Sequence, residues 1–153
     1  SLFSNSQTLF LLLEYLFQHA DTILVVDGGQ IVLANALRGL SDVKSIMYVS
    51  DAFCLSSKME GMPMTVIEAL SVGCIPICTP VGGCINMIRN GENGFLSAEN
   101  SEDAYVDAIM KLCELRAQDI QTIKNNCLED YIQNYSITKT AESYIHFIQH
   151  EQR

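Results

Sequence analysis

At 153 residues, 48% hydrophobic and 18% charged, the chain has the size and make-up of one globular domain, which excludes a disordered segment or a scaffold that needs disulfide staples. Eighteen acids against nine bases give a formal charge of −9. Such a surface repels phosphate backbones and anionic lipid, so nucleic acid and anionic membrane surfaces are excluded as direct partners. No apolar run approaches the roughly 20 residues of a membrane span, and no basic-then-apolar leader opens the chain. The chain begins at Ser1, so a domain excised from a longer protein is the expectation.

In chain order, Leu9 to Phe17 is apolar on most faces and reads as a buried helix. Thr22 to Val26 is a short β-branched run closed by Asp27-Gly28-Gly29, a strand running into a glycine turn. In "SDVKSIMYVSD", Val43, Ile46, Met47 and Ser50 fall at helical spacing, with Asp42 near the start. Ala52 to Ser57 is a second buried strand. Thr65 to Val72 is a helix closed by Gly73. Ile75 to Cys78 is a third strand. "VGGCINMIRNG" begins with two glycines and becomes a helix ended by Gly91, and "GFLSA" is a fourth short strand. From Ser101 onward the pattern is helical only: Ser101-Glu102-Asp103 caps Ala104–Leu115, and two more helices follow at about 117–131 and 138–150. Tyr144, Ile145, Phe147 and Ile148 line one face of the last helix; for Tyr144 and Phe147 core packing is the expected use, with partial exposure the alternative if this helix crosses to another half of a longer protein. Strands alternating with helices predict an α/β fold, a Rossmann-like parallel sheet flanked by helices with a helical C-terminal region. No composition shift or linker splits residues 1–153.

The six cysteines, Cys54, Cys74, Cys78, Cys84, Cys113 and Cys127, contain no Cys-x-x-Cys pair and are expected as reduced, packed thiols of a cytoplasmic protein. Cys74, Cys78 and Cys84 lack a nearby fourth ligand for zinc. His19, His146 and His150 sit in helical settings and carry no assigned chemistry.

Ligands of a doubly wound sheet gather at the carboxyl ends of its strands, where glycine turns meet helix N-termini. Three such ends are visible: Asp27-Gly28-Gly29, Ser56 to Gly61, and Val81-Gly82-Gly83. The middle one is the sharpest. Pro63 stands where a missing N–H costs nothing, and the amides of Met64, Thr65 and Val66, with the positive end of the helix dipole, suit a phosphate group. Glu68 lies one turn on, roughly 6 Å beyond Met64 at 1.5 Å per residue. That is near the span from a nucleotide's β-phosphate to its ribose, and a carboxylate can accept from both hydroxyls of a cis-diol. Glu60 precedes the helix, on the other side of such a phosphate. Acids are favoured near helix N-termini in any case, so either glutamate alone is explained by that preference. The pair in this setting is not.

The stretch "SSKMEGMPMTVIEALSVGCIPICTPVGG", Ser56 to Gly83, closely resembles the donor-site segment of the GT-B fold, family 4 retaining glycosyltransferases, the "glycosyl transferases group 1". Their pattern is two glutamates separated by seven residues, as E-G-[FM]-P-x-x-x-x-E-A, then a small-residue turn, G-x-P and G-G. Glu60, Gly61, Pro63, Glu68, Ala69, Gly73, Pro76, Gly82 and Gly83 fit it, and the likeness continues through "IRNGENGFLSAENSEDAYVDAI".

The resemblance implies transfer of a sugar from a nucleoside-diphosphate sugar, with UDP or GDP as the nucleotide, to a polysaccharide or lipid-linked glycan acceptor, with retention at the anomeric carbon. It places Glu60 at the donor sugar as the catalytic-site carboxylate. It gives the diphosphate to Gly61, Met62, Pro63, Met64 and Thr65, and the ribose to Glu68. Gly28, Gly29, Ser56 and Lys58 fall near the nucleotide. No metal or other cofactor is expected.

The whole chain would be the C-terminal, donor-binding half of the enzyme, inactive alone. An N-terminal domain would bring the acceptor, and the full enzyme would be cytoplasmic or peripheral at the inner membrane face. The chain departs from the family in three places. The usual Arg and Lys near the start of this half are missing, since no basic residue precedes Arg38; only Gln30 to Leu40 follows the first glycine turn, where members carry a helix and a strand; and Asn86 stands where many have Glu. A nucleotide-sugar epimerase of the same fold, or a binding module without turnover, are the alternative functions.

Overall fold

The computed structural model describes residues 23–27, 30–34 and 43–150. The helix expected over Leu9–Phe17, together with His19, Gly28, Gly29 and Arg38, lies outside the described residues. The elements are β1 (Ile23–Asp27), β2 (Gln30–Ala34), α1 (Val43–Tyr48), β3 (Ala52–Leu55), α2 (Met64–Ser71), β4 (Ile75–Cys78), α3 (Cys84–Met87), β5 (Phe95–Leu96), α4 (Glu102–Cys113), α5 (Ala117–Asp130), a π-helical segment (Tyr131–Tyr135) and α6 (Ile137–His150).

The five strands form one sheet in the order β2-β1-β3-β4-β5. β3, β4 and β5 are parallel, joined by α2 and α3, as the alternating pattern predicts. The wholly parallel sheet is corrected at the other end: β1 pairs antiparallel with both β2 and β3. The register brings Asp27 opposite Gln30, so only two residues separate the strands, and a connection that short can only reverse the chain. The apolar run "IVL" inside Gln30–Leu40 is therefore a strand that the sequence reading passed over. β1 also meets β3 head to tail, with Val26 beside Ala52. The carboxyl end of β1 thus falls at the edge where β3 begins, not where β3 and β4 end.

Every residue of β3 and β4 is buried, so both faces of the central sheet are covered. Phe53, Ile75 and Ile77 from the strands, Val66 and Leu70 from α2, Tyr105, Ile109 and Leu112 from α4, and Ile123 from α5 make one continuous core. The Tyr105 hydroxyl donates to the Ile77 carbonyl at 2.8 Å, which satisfies the one polar atom this large side chain brings inside.

Helix ends follow local chemistry. Past α2 the Gly73 and Cys74 amides donate back to the Leu70 and Ala69 carbonyls at 3.1 and 3.0 Å, a Schellman turn, with Gly73 at φ 70°. The Ser101 hydroxyl caps α4 by accepting from the Ala104 amide, with Glu102 and Asp103 in the first turn and Lys111 in the last. Ser136 accepts from the Lys139 amide at the start of α6.

Core packing of the last helix is also corrected. Tyr144, Ile145, Phe147 and Ile148 are each more than half exposed. Apolar spacing makes the stripe; it does not supply the cover.

A candidate donor site at the strand ends

β3 and β4 finish side by side, Leu55 opposite Cys78. Beyond them the two loops are tied together. The Thr79 amide donates to the Leu55 carbonyl at 3.1 Å, and the buried Thr79 hydroxyl donates to the Ser57 carbonyl at 2.6 Å. Ser56 and Ser57 are themselves buried. The chain then turns outward, and this turn is closed by a side chain: the Ser57 hydroxyl donates to Glu60 Oε1 at 2.5 Å. Glu60 is half-buried, while Lys58 and Met59, between the two bonded residues, are exposed.

Gly61 and Met62 are exposed, Pro63 is buried, and α2 begins at Met64. Pro63 is the N-cap residue, at φ −73° and ψ 101°, and no side chain caps the helix. The first amides of a helix have no carbonyl one turn earlier to receive them. Of the three amides expected to face a ligand, Val66 is taken, because it donates to the Pro63 carbonyl at 3.1 Å. That narrows the supply to Met64 and Thr65. Glu68, one turn along, is exposed, and its carboxylate engages none of the described residues.

The third loop braces this turn from behind. Gly82 has φ +49°, and a Cβ there would stand 1.8 Å from the Glu60 carbonyl oxygen. A Cβ at Gly83 would stand 2.6 Å from the Gly61 carbonyl, to which the Gly83 amide donates at 2.7 Å. Backbone packed against backbone leaves room for hydrogen only, so the Gly-Gly pair sets the path of Glu60–Pro63. Asn86 is exposed on the four-residue α3. Cys78, buried at the end of β4, is pushed up in pKa by the hydrogen bond it shares with the Cys84 thiol and by burial.

A loop carboxylate, an uncapped helix start and a second carboxylate one turn on therefore share one edge of the sheet. The sequence profile of the family "Glycosyl transferases group 1" matches residues 33–129, which includes all of this edge. The chain belongs to the group 1 glycosyl transferases. It is 28% identical over 102 residues to the UDP-Gal:alpha-D-GlcNAc-diphosphoundecaprenol alpha-1,3-galactosyltransferase of Escherichia coli, covering 67% of this chain and 26% of that one. Among solved structures it shares the fold of Anabaena Alr3699/HepE in complex with UDP, with a TM-score of 0.65 at 20% identity over 72% of this chain and 30% of that one. It also shares the fold of the C-terminal domain of the group 1 glycosyl transferase LpcC from Francisella tularensis, with a TM-score of 0.55 at 24% identity over 64% of this chain and 50% of that one. The chain spans about a quarter of the length of several curated relatives it matches.

In this group 1 chain, then, the structure brings together Ser56, Lys58, Glu60 and Gly61 to Pro63 on one continuous loop, with Met64, Thr65 and Glu68 on the helix it leads into. It does not bring the end of β1 to them. Asp27 sits at the opposite edge, and Gly28 and Gly29 lie outside the described residues. Two residues of the site were missed. Ser57 orients Glu60, and the pair was visible in the sequence only as Ser-x-x-Glu, a spacing short enough for one loop turn to bring the two side chains together. Thr79 ties the loops, and nothing in its local sequence marks it, because its partner lies 22 residues away.

The opposite, strand-start edge holds a cluster of hydrogen-bonded buried polar side chains. Asn93 is fully buried. It accepts from the Arg89 amide at 2.6 Å, and donates to the Met87 carbonyl at 3.0 Å and to Asp130 Oδ2 at 2.8 Å. Asp130 also receives Arg89 Nη1 at 3.0 Å and Asn134 Nδ2 at 2.8 Å. Lys124 pairs with Asp51 at 3.0 Å on the same edge. These bonds fasten α5 to the sheet.

Proposed function

We propose that this chain is the nucleotide-sugar-binding half of a retaining glycosyltransferase. The observation that carries the reading is the pair Glu60 and Glu68 on either side of the uncapped start of α2. The amides of Met64 and Thr65 receive the diphosphate, helped by the helix dipole. Glu68 accepts from the ribose diol. Glu60, held by Ser57, meets the hydroxyls of the donor sugar. In the transfer, the bond from the anomeric carbon to the diphosphate oxygen breaks and a bond to the acceptor oxygen forms on the same face. The leaving diphosphate oxygen takes the electron pair of the broken bond and accepts the acceptor's proton.

The names of relatives supply the substrate classes. The Anabaena neighbour was solved with UDP, and the E. coli relative is named for UDP-galactose and a diphosphoundecaprenol-linked acceptor. A UDP- or GDP-hexose donor and a glycan or lipid-linked acceptor are the corresponding reading here. The solved LpcC C-terminal domain supports placing this chain as the same half of a longer enzyme, with acceptor binding in the other half. In this reading the leaving diphosphate is stabilised by amides and cationic side chains, with no metal. All six cysteines are free, which suits a cytoplasmic setting, with the full enzyme at the inner membrane face when its acceptor is lipid-linked. No helix among the described residues is long and apolar enough to cross a membrane.

Calorimetric titration of this chain with UDP and GDP tests the reading. One of the two binds, and Glu68→Ala weakens it about 10-fold, the loss of a charge-assisted hydrogen-bond pair. Undiminished affinity in Glu68→Ala contradicts the ribose role, and no binding of either nucleotide contradicts the donor site itself.

A further inference from the structure

The cysteines are the reactive groups that sugar transfer leaves unused. All six are free, and Cys113 alone is exposed. Cys127 Sγ donates to the Asn93 carbonyl at 3.2 Å, and Cys54 is hydrogen-bonded to Tyr105. Cys78 and Cys84 are hydrogen-bonded to each other. The backbone brings these two together. Cys78 ends β4, and beyond it the chain reverses through two tight turns. The Val81 amide donates to the Thr79 carbonyl at 2.9 Å, and the Cys84 amide to the Val81 carbonyl at 3.1 Å. Gly82, at φ +49°, lies inside the second turn. Cys84 then begins α3, with its side chain buried in the same core as Cys78.

The loop that these two thiols bracket is the one that braces the Glu60–Pro63 turn. Its two ends are not equally fixed. Cys78 is held in the sheet between Leu55 and Leu96. α3 has only four residues, and Ile85 and Asn86 are exposed on it. A disulfide holds its sulfurs about 2.05 Å apart, closer than two thiols in hydrogen-bond contact. Forming one therefore draws Cys84, and Gly83 before it, toward β4. The Gly83 amide holds the Gly61 carbonyl at 2.7 Å, and the Gly82 backbone lies directly against Glu60. A shift of Gly83 either breaks its bond to Gly61 or drives the turn outward.

We propose that Cys78 and Cys84 form a reversible disulfide that loosens the Glu60–Pro63 turn, with a small-molecule disulfide such as oxidised glutathione as the oxidant. The hydrogen bond from Cys78 lowers the pKa of Cys84, which makes Cys84 the attacking thiol. Local opening of the short α3 brings it to the oxidant. Its thiolate attacks the oxidant's sulfur–sulfur bond, forms a mixed disulfide and releases one glutathione thiol. The Cys78 sulfur then attacks Cys84 and displaces the second. The two protons of the protein thiols end on the two glutathiones. The bond itself does not depend on the donor-site reading; its effect on nucleotide affinity rests on that reading.

The test uses the full chain with Cys113→Ser, which removes the exposed thiol. It is treated with oxidised glutathione and then with dithiothreitol. After oxidation the tryptic peptide Met59–Arg89 is lighter by two hydrogens, and its fragment ions assign the bond to Cys78 and Cys84 rather than Cys74. Hydrogen exchange of the Gly83 amide speeds up about 10-fold. Affinity for UDP or GDP falls about 10-fold. Dithiothreitol reverses all three. Cys84→Ala and Cys78→Ala each abolish them, and either variant suffices if the other does not fold. Glutathione left on Cys84 without closure, or no reaction at either thiol, overturns the pair. A closed bond with Gly83 still protected overturns the loosening and leaves the donor site standing. If the reduced chain binds neither nucleotide, the donor-site reading fails; closure with faster Gly83 exchange then upholds the switch, and closure without it overturns the switch.

Discussion

The two edges of the central sheet are built from similar loops and put them to opposite uses. At the strand-start edge, Asn93 and Asp130 are buried, and their bonds to Arg89, Met87 and Asn134 occupy them within the fold. At the strand-end edge the backbone is just as tightly fixed, by Thr79 on Ser57 and by Gly82 and Gly83 against Glu60 and Gly61. Yet Glu68 and Lys58 stand exposed there, and the helix has no cap. One edge spends its polar groups on holding the chain together. The other holds its backbone still and leaves polar groups for something else. Rigidity without internal satisfaction is what a binding surface requires, and it is the feature on which the proposed donor site rests.

The largest effect that separates the edges is expected from Asn93→Ala. It leaves Asp130 Oδ2, the Met87 carbonyl and the Arg89 amide without the partner they share. Urea unfolding is expected to show a loss of about 3 kcal/mol or more, with nucleotide affinity of the folded fraction unchanged. A loss below about 1 kcal/mol would show that the cluster does not fasten α5.

Gly82→Ala is the counterpart at the other edge. Its Cβ cannot share space with the Glu60 carbonyl, and φ +49° strains any side chain. About 2 kcal/mol of stability is expected to go, together with nucleotide binding, because the turn that carries Glu60 must move. Intact binding in Gly82→Ala would mean that the path of this loop does not define the site.

Alkaline pH weakens the frame that the two edges share. Burial is the main cause that pushes Cys54 and Cys127 from 9.0 up to about 12. The folded protein therefore keeps protons on these two thiols, and on the buried Cys74 and Cys78, that the unfolded chain gives up above about pH 9. Stability is full below that pH and falls as pH rises toward 12, by about 1.4 kcal/mol per pH unit for each thiol. Denaturant midpoints measured between pH 8 and 11 check this. Cys127→Ala is expected to lower the starting stability but to reduce the slope.

Much of this was legible in the sequence, for local reasons. Glu60, Pro63 and Glu68 stand within one loop and one helix, so spacing alone arranges them. Strands β3 and β4 are short apolar runs bounded by small and polar turn residues, and the Gly73 turn is encoded within five residues. What could not be read depends on partners far away. The direction of β1 is decided by its pairing with β3, 27 or so residues on, so the expectation that all strand ends share one edge failed there. Asn93 looks like a turn residue in "NGENG" until Asp130 arrives from α5. The α6 stripe was read correctly as amphipathic and wrongly as covered, because periodicity fixes a face and not its neighbour.

The most direct test of the central claim, that the strand-end edge is the nucleotide site, is a UDP or GDP titration of this chain followed through its backbone amide NMR signals. The account predicts that the amides of Met64 and Thr65 shift most, with Gly61 and Glu68 close behind, while Asn93, Gly94 and Asp130 stay in place. Shifts concentrated on Arg89–Gly94 and Asp130, with the start of α2 unmoved, would contradict it.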